Sequence, residues 1–225
     1  MQSQRIFLVP KLQFSNSYFV DFSDGDLILI DTGTPGAYEK IISYLKSLGK
    51  STNEIKVIAL THSDTDHSGS AKKIRDLSGS KIAIHELDAP RVSGKKSIKE
   101  VHSLMGNIML GIFNAFNRFE TFEADIIFKD CDSLSKLKVI HVPGHTEGSV
   151  CFYLPGVALF SGDTLRTSGG KVMLPPSYLN FDNILLRNSL KKLINLEFTE
   201  LYPGHGKPII RDADRAVREL VERLH

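Results

Sequence analysis

Short apolar runs rich in β-branched and aromatic side chains recur at residues 6–9, 18–22, 27–30, 57–60, 82–84, 137–142, 150–154 and 157–160. Each is too short for a buried helix and is bounded by turn residues, so each is predicted to be a strand. Between them the apolar positions change to a helical period at 38–48, 70–77, 97–119, 183–193 and 213–224. In each half of the chain, strands come first in hairpin-like succession, separated by SDGD at 23–26 and by PG at 155–156, and then alternate with helices. Two β layers covered by helices satisfy that order, which predicts an α+β fold, a four-layer αββα sandwich. No short repeat, low-complexity tract or linker interrupts it, so residues 1–225 are expected to form a single domain.

Within 97–119, the part from Val101 to Phe119 is unusually apolar. Leu104, Met105, Ile108, Ile112 and Phe116 fit one helical face, while Met109, Leu110 and Phe113 widen that face beyond what one core contact requires. Plain core packing, a pocket lid and a dimer surface all remain open, the last with a homodimer as its consequence.

Composition narrows the setting. The chain has 225 residues, 41% of them hydrophobic, enough to bury a sizeable core. Lys and Arg number 28 against 26 Asp and Glu, with no long run of one sign, so a nucleic-acid partner is not expected. Cys131 and Cys151 form no C-x-x-C pair and are expected to be free thiols, Cys151 as a small core residue within an apolar run. The opening MQSQRIFLVPKLQFS has too short an apolar run for a signal peptide, and nowhere do eighteen apolar residues follow one another. A soluble, cytoplasmic protein without a membrane partner is the expectation.

The candidate chemistry begins at THSDTDHSGS, residues 61–70, where His62, Asp64, Asp66 and His67 place four metal-ligand side chains between a strand end and a helix start. Alone, this is equally well a polar loop in which Asp66 or Ser68 caps the helix. Three further islands change the balance: HVPGHTEGS at 141–149 with His145, FSGDTL at 160–165 with Asp163, and YPGHG at 202–206 with His205. Each follows a strand and sets His or Asp among glycines, which let the backbone approach a ligand closely. Several preoriented nitrogen and oxygen donors from separate loops are what a divalent metal site requires.

In order and spacing these islands resemble the metallo-β-lactamase superfamily, from LILIDTGTPG at 27–36 to YPGHG. The resemblance implies two divalent metal ions, zinc first, with iron or manganese as alternatives. It implies that His62 and His145 ligate the first, that Asp66, His67 and His205 ligate the second, and that Asp163 bridges both. Asp31 in IDTG resembles the buried strand-end aspartate that supports a ligand from beside the site. Asp64 departs from the pattern, standing where most relatives have a second histidine. As a first-site ligand it is shorter and harder than an imidazole, which implies a weaker and more iron-tolerant first site.

The activity implied is hydrolysis of a small-molecule ester, lactone or thioester by attack of a metal-bound hydroxide on the carbonyl, with Asp66 orienting the attacking proton. The wording around HVPGHTEGS resembles the glyoxalase II and lactonase branches more than the antibiotic-resistance enzymes. A second reading is a diiron oxidoreductase served by a separate electron donor. It resembles the diiron flavoproteins, which carry a glutamate at the Asp64 position and a flavodoxin-like domain, for which the stretch after His205 leaves no room. A third is a non-catalytic metal-binding protein; a nuclease ranks lowest.

Ile108, Ile112, Phe113 and Phe116 are expected to form an apolar wall beside the metals, and Tyr178 in LPPSYLNFD to reach a substrate oxyanion. His85 in IAIHELDAP is expected to be structural or at a pocket edge, His141 to face inward from its strand, and His102 and His225 to be solvated. Ser68 is expected to cap a helix rather than act as a nucleophile.

Overall fold

Period-two alternation along the strands sorts side chains into separate cores, which is why so many runs are apolar at consecutive positions. The computed structural model describes residues 4–97, 99, 101, 103–118 and 120–224. Phe119, His102 and His225, discussed above, lie outside them.

The first sheet holds β1 (Arg5–Leu8), β2 (Tyr18–Asp21), β3 (Leu27–Ile30), β4 (Ile55–Ala59), β5 (Lys81–His85) and β6 (Ile126–Phe128) in that order. Its first three strands pair antiparallel and the rest parallel. Helix α1 (Tyr38–Ser47) crosses from β3 to β4, and the single turn α2 (Thr65–Ser68) with α3 (Ala71–Ser78) crosses from β4 to β5. A further turn, α4 (Ala89–Val92), and α5 (Leu104–Phe116) precede β6.

The second sheet uses β7 (Ser133–Leu134), β8 (Leu137–His141), β9 (Val150–Leu154), β10 (Ala158–Gly162) and β13 (Glu200–Pro203), ordered β13-β10-β9-β8-β7. A hairpin of β11 (Arg166–Ser168) and β12 (Lys171–Met173), then α6 (Asn183–Ser189), lie between β10 and β13, and α7 (Ala213–Glu222) follows.

Ile28 and Ile30 meet Val150, Phe152 and Phe160 between the sheets. Leu27 and Leu29 point the other way, to Ile41 and Leu45 of α1 and Ile74 of α3. In the second sheet, Cys151 and Leu159 turn out to Leu186 of α6 and Val217 of α7. The layers are therefore helix, sheet, sheet, helix, the sandwich expected.

The helix expected over 97–119 is shorter. It begins after Ser103, whose Oγ accepts the Gly106 amide at 3.2 Å, because the preceding stretch is drawn into ion pairs from Lys96 to Glu147 and from Lys99 to Asp64. The expected helix over 183–193 tightens into a 3-10 turn at Leu190–Leu193. Strands β6, β7, β11 and β12 were not anticipated, since two or three residues give no readable alternation. Among the described residues no helix is long and apolar enough to cross a membrane.

Candidate metal centre

Four loops at strand ends converge. The loop after β4 brings His62, Asp64, Asp66 and His67; those after β8, β10 and β13 bring His145, Asp163 and His205. Donor atoms of His62, His145 and Asp163 all lie within 4.8 Å of one another, and so do those of Asp66, His67 and His205. Asp163 joins the two groups: its Oδ1 is 3.2 Å from His67 Nε2, and its Oδ2 is 3.1 Å from His205 Nε2 and 3.5 Å from His145 Nε2. Gly204 makes this convergence possible, since a Cβ there would lie 2.7 Å from His67 Cε1.

The far side of each imidazole is held. Asp31 Oδ2 accepts from His67 Nδ1 at 2.8 Å and from the Thr61 hydroxyl at 2.8 Å, and its Oδ1 accepts the Thr61 amide at 2.8 Å. With its proton given to Asp31, Thr61 Oγ1 accepts from His62 Nδ1 at 2.9 Å. His145 Nδ1 donates to Asn180 Oδ1 at 2.9 Å. All three Nδ1 atoms are therefore donors, which leaves Nε2 of each ring as the ligand atom.

Sequence reasoning missed Asn180 and Asp88. Buried Asp88 accepts from the Ser63 amide, the Thr146 hydroxyl and the Gly148 amide at 2.8 to 2.9 Å, tying the first histidine loop to the His145 loop. Asp88 lies in the quoted IAIHELDAP, but only the fold puts it opposite two loops at once.

The electrostatics suit a cation. Burial, reinforced by His67, keeps His62 well below the usual histidine range and hence neutral. Against its own burial, Asp163 is held well below the carboxylate range by His205 and His67. Against burial too, Asp163, Asp66 and Asp31 hold His67 well above the histidine range. The same negative charge that favours a proton there favours a metal ion. Buried His62 Nε2, His67 Nε2 and Asp163 Oδ1 have no hydrogen-bond partner. Lone pairs left unmatched in a buried N/O donor set fit divalent cations.

Asp64 stands beside the first group, its Oδ2 3.1 Å from His145 Nε2 and 3.7 Å from His62 Nε2, but that oxygen also meets Lys99 Nζ at 2.5 Å. Against burial, the Lys99 ammonium holds the Asp64 carboxyl well below the usual carboxylate range.

A cavity of about 290 Å³ opens onto Asp64, Asp66, His145, Asp163 and His205, walled by Phe14, Met109, Leu110, Phe113 and Leu179. Of the expected apolar wall only Phe113 lines it. Ile108, Ile112 and Phe116 are exposed and outside the lining, and Tyr178 is outside it too, where Leu179 takes its place. His85 is buried and stacks on half-buried His141 with centroids 4.0 Å apart, away from the donors. Ser68 caps nothing: it lies within α2 and its hydroxyl donates to the carbonyls of Ser63 and Asp64. Asp66 and Ser70 make no side-chain cap either, the positions before α2 and α3 being uncapped Asp64 and Ser70.

The sequence model of the metallo-beta-lactamase superfamily matches residues 10–205. A Caenorhabditis elegans beta-lactamase-like protein 2 homolog is 31% identical over 94% of this chain, which spans 62% of that relative's length. A hydroxyacylglutathione hydrolase of Pelagibacter ubique is 29% identical over 88% of this chain and 69% of its own. The crystal structure of TTHA1623 in a di-iron-bound form, 26% identical, superposes with a TM-score of 0.69 over 92% of this chain and 94% of its own.

Proposed function

Since the chain belongs to the metallo-beta-lactamase superfamily, we propose that it is a metal-dependent hydrolase of an ester, lactone or thioester whose acyl part is apolar. The observation that carries this reading is the apolar cavity opening onto both donor groups at their shared Asp163. His62, His145 and Asp163 would hold one divalent ion, and Asp66, His67, His205 and Asp163 the other. Bound there, divalent metal supplies a Lewis acid for the carbonyl oxygen and brings the pKa of water from about 15.7 to roughly 7.

The chain's own groups do the rest. Phe14, Met109, Leu110, Phe113 and Leu179 receive the acyl part and exclude bulk water from the carbonyl. The Asp66 carboxylate, at the edge of the cavity, is placed to orient the attacking water and to pass its proton on to the leaving oxygen or sulfur. Asp31, Thr61 and Asn180 keep the three imidazoles from rotating as charge develops.

Zinc is the proposed metal. Iron is the alternative, supported by the related structure in a di-iron-bound form. Unpaired Cys131 and Cys151 support a reducing, cytoplasmic setting.

The test is zinc-loaded protein assayed against acyl esters and thioesters of increasing chain length, a lactone and a phosphodiester. Carboxyl-ester or thioester cleavage that rises with acyl length is expected. Phosphodiester cleavage alone, or two irons per chain with dioxygen consumption and no hydrolysis, overturns the reading.

A further inference from the structure

Lys99 is a buried lysine set among metal-ligand atoms. Its side chain is 1% exposed, and Nζ lies 2.5 Å from Asp64 Oδ2 and 3.0 Å from His145 Nε2. We propose that Lys99 is a resident cation of the first donor group, so that an ion enters between His62, His145 and Asp163 only when this ammonium withdraws. The inference rests on the reading of the two donor groups as metal sites.

The ammonium settles how the hydrogen bonds run, because a second N–H at His145 Nε2, aimed at Asp64 Oδ2 3.1 Å away, would also face the Lys99 protons. His145 gives its Nδ1 proton to Asn180, so Nε2 presents a lone pair, and an ammonium has only protons to offer. Lys99 therefore donates to His145 Nε2, the atom an ion would take, and to Asp64 Oδ2. It replaces the hydration lost on burial with one full charge and one lone pair. A divalent ion sharing His145 Nε2 would face that ammonium across a few ångströms of low-dielectric interior, where like charges repel strongly. The ion and Lys99 at this position exclude one another.

The second group has no such occupant. Among the described residues, the ion pairs of Asp66, His67 and His205 run to one another, to Asp163 and to Asp31. Lys99 also has somewhere to go. It sits outside any helix, before α5, and lines a second cavity of about 270 Å³ together with Asp64, Asp66, Arg91, Lys96 and Asn114. Withdrawal into that space frees His145 Nε2 while keeping the ammonium within reach of Asp64, which lines the same cavity. Filling is therefore ordered: the Asp66 group first, the His145 group second and more weakly.

The test uses chelator-stripped full chain titrated with zinc by calorimetry, with zinc per chain measured by elemental analysis after gel filtration. Expected for the parent is one tight ion and a second bound about tenfold or more weaker. Lys99→Met is expected to strengthen the second event by about tenfold or more while leaving the first within about threefold, which also reports that the variant is folded. A variant-free measurement accompanies it: reductive methylation of the parent, read by mass spectrometry, should spare Lys99 at one equivalent of zinc and modify it at two. Two ions of equal affinity in the parent, unchanged by Lys99→Met, or Lys99 methylation independent of zinc, overturns the inference and leaves the metal-centre reading standing. Binding of no zinc by either protein overturns both.

Discussion

At Asp31 one carboxylate accepts from the Thr61 amide, the Thr61 hydroxyl and His67 Nδ1, each at 2.8 Å. The residue holds φ at +54°, a conformation that costs a non-glycine residue about 1 kcal/mol or more. That strain is tolerated because the three bonds fix two imidazoles, His67 directly and His62 through Thr61. Asp31→Ala is expected to weaken zinc binding by about 10- to 100-fold, the Asp66 group more than the His145 group. Competition with a fluorescent chelator measures it, and unchanged affinity would remove Asp31 from the site's support. His85 offers a test away from the metals. Burial, and then the stacked His141, lower its pKa to about 4. An unfolded histidine takes up its proton near pH 6.5, before the folded one does. The stability held by neutral His85 is thus complete above about pH 6.5 and is lost as pH falls through about 4, by at most about 3 kcal/mol. Urea midpoints compared at pH 7.5 and 4.5 should fall less in His85→Phe than in the parent; an equal fall refutes the assignment.

Helix α5 presents two different apolar faces. Leu110 and Phe113 reach the metal cavity, whereas Ile108, Ile112 and Phe116 face solvent. Phe113→Ala and Leu110→Ala are expected to lower kcat/KM for a long-chain acyl ester by about tenfold, and for an acetyl ester by much less, because they remove apolar contact to the acyl part. Ile112→Ser should change neither by more than about twofold. Equal losses on both esters would mean that α5 shapes the metal site rather than acyl choice. The same helix is seated by Gly106, which abuts the Tyr178 carbonyl and Val101. Gly106→Val has to push α5 away from the 177–179 turn, and Asn180 follows directly with its bond to His145. A loss of about 1 to 3 kcal/mol in urea, with weaker zinc binding, is the expected outcome. The apolar breadth of this helix is legible in the sequence. Which half of it faces the metals is not, because rotation about a helix axis is set by what the helix lands on.

Across the whole molecule, the carboxylates of buried Asp31 and Asp88 and of half-buried Asp66 and Asp163 are gathered on or against the strand-end loops that carry the imidazoles. Such a concentration of negative charge is stabilised by cations and destabilised by their removal. Zinc at about 100 times its dissociation constant should stabilise the fold by about 2.7 kcal/mol. For a chain of this size that corresponds to a rise in Tm of roughly 5 to 10 °C over chelator-treated protein. Scanning calorimetry with and without zinc tests it, and a Tm indifferent to chelator would show that the cluster is balanced by protein charges alone.

The strand runs, the crossing helices and the four ligand islands were legible in the sequence because each is a local matter. Alternation, helical period and glycine-flanked His and Asp lie within a few residues of one another. The continuous LILI of β3 shows why the sandwich could be anticipated: consecutive apolar residues need a core on each face. What the chain alone left open depends on partners distant in sequence. Asn180 lies 35 residues from His145, Asp88 joins Ser63 to Gly148, and Lys99 reaches Asp64 from a stretch expected to be helical. A lysine among lysines carries no local mark of burial. Only the packed fold, by taking its ammonium out of water and setting it beside a carboxylate and an imidazole lone pair, turns it into part of the site.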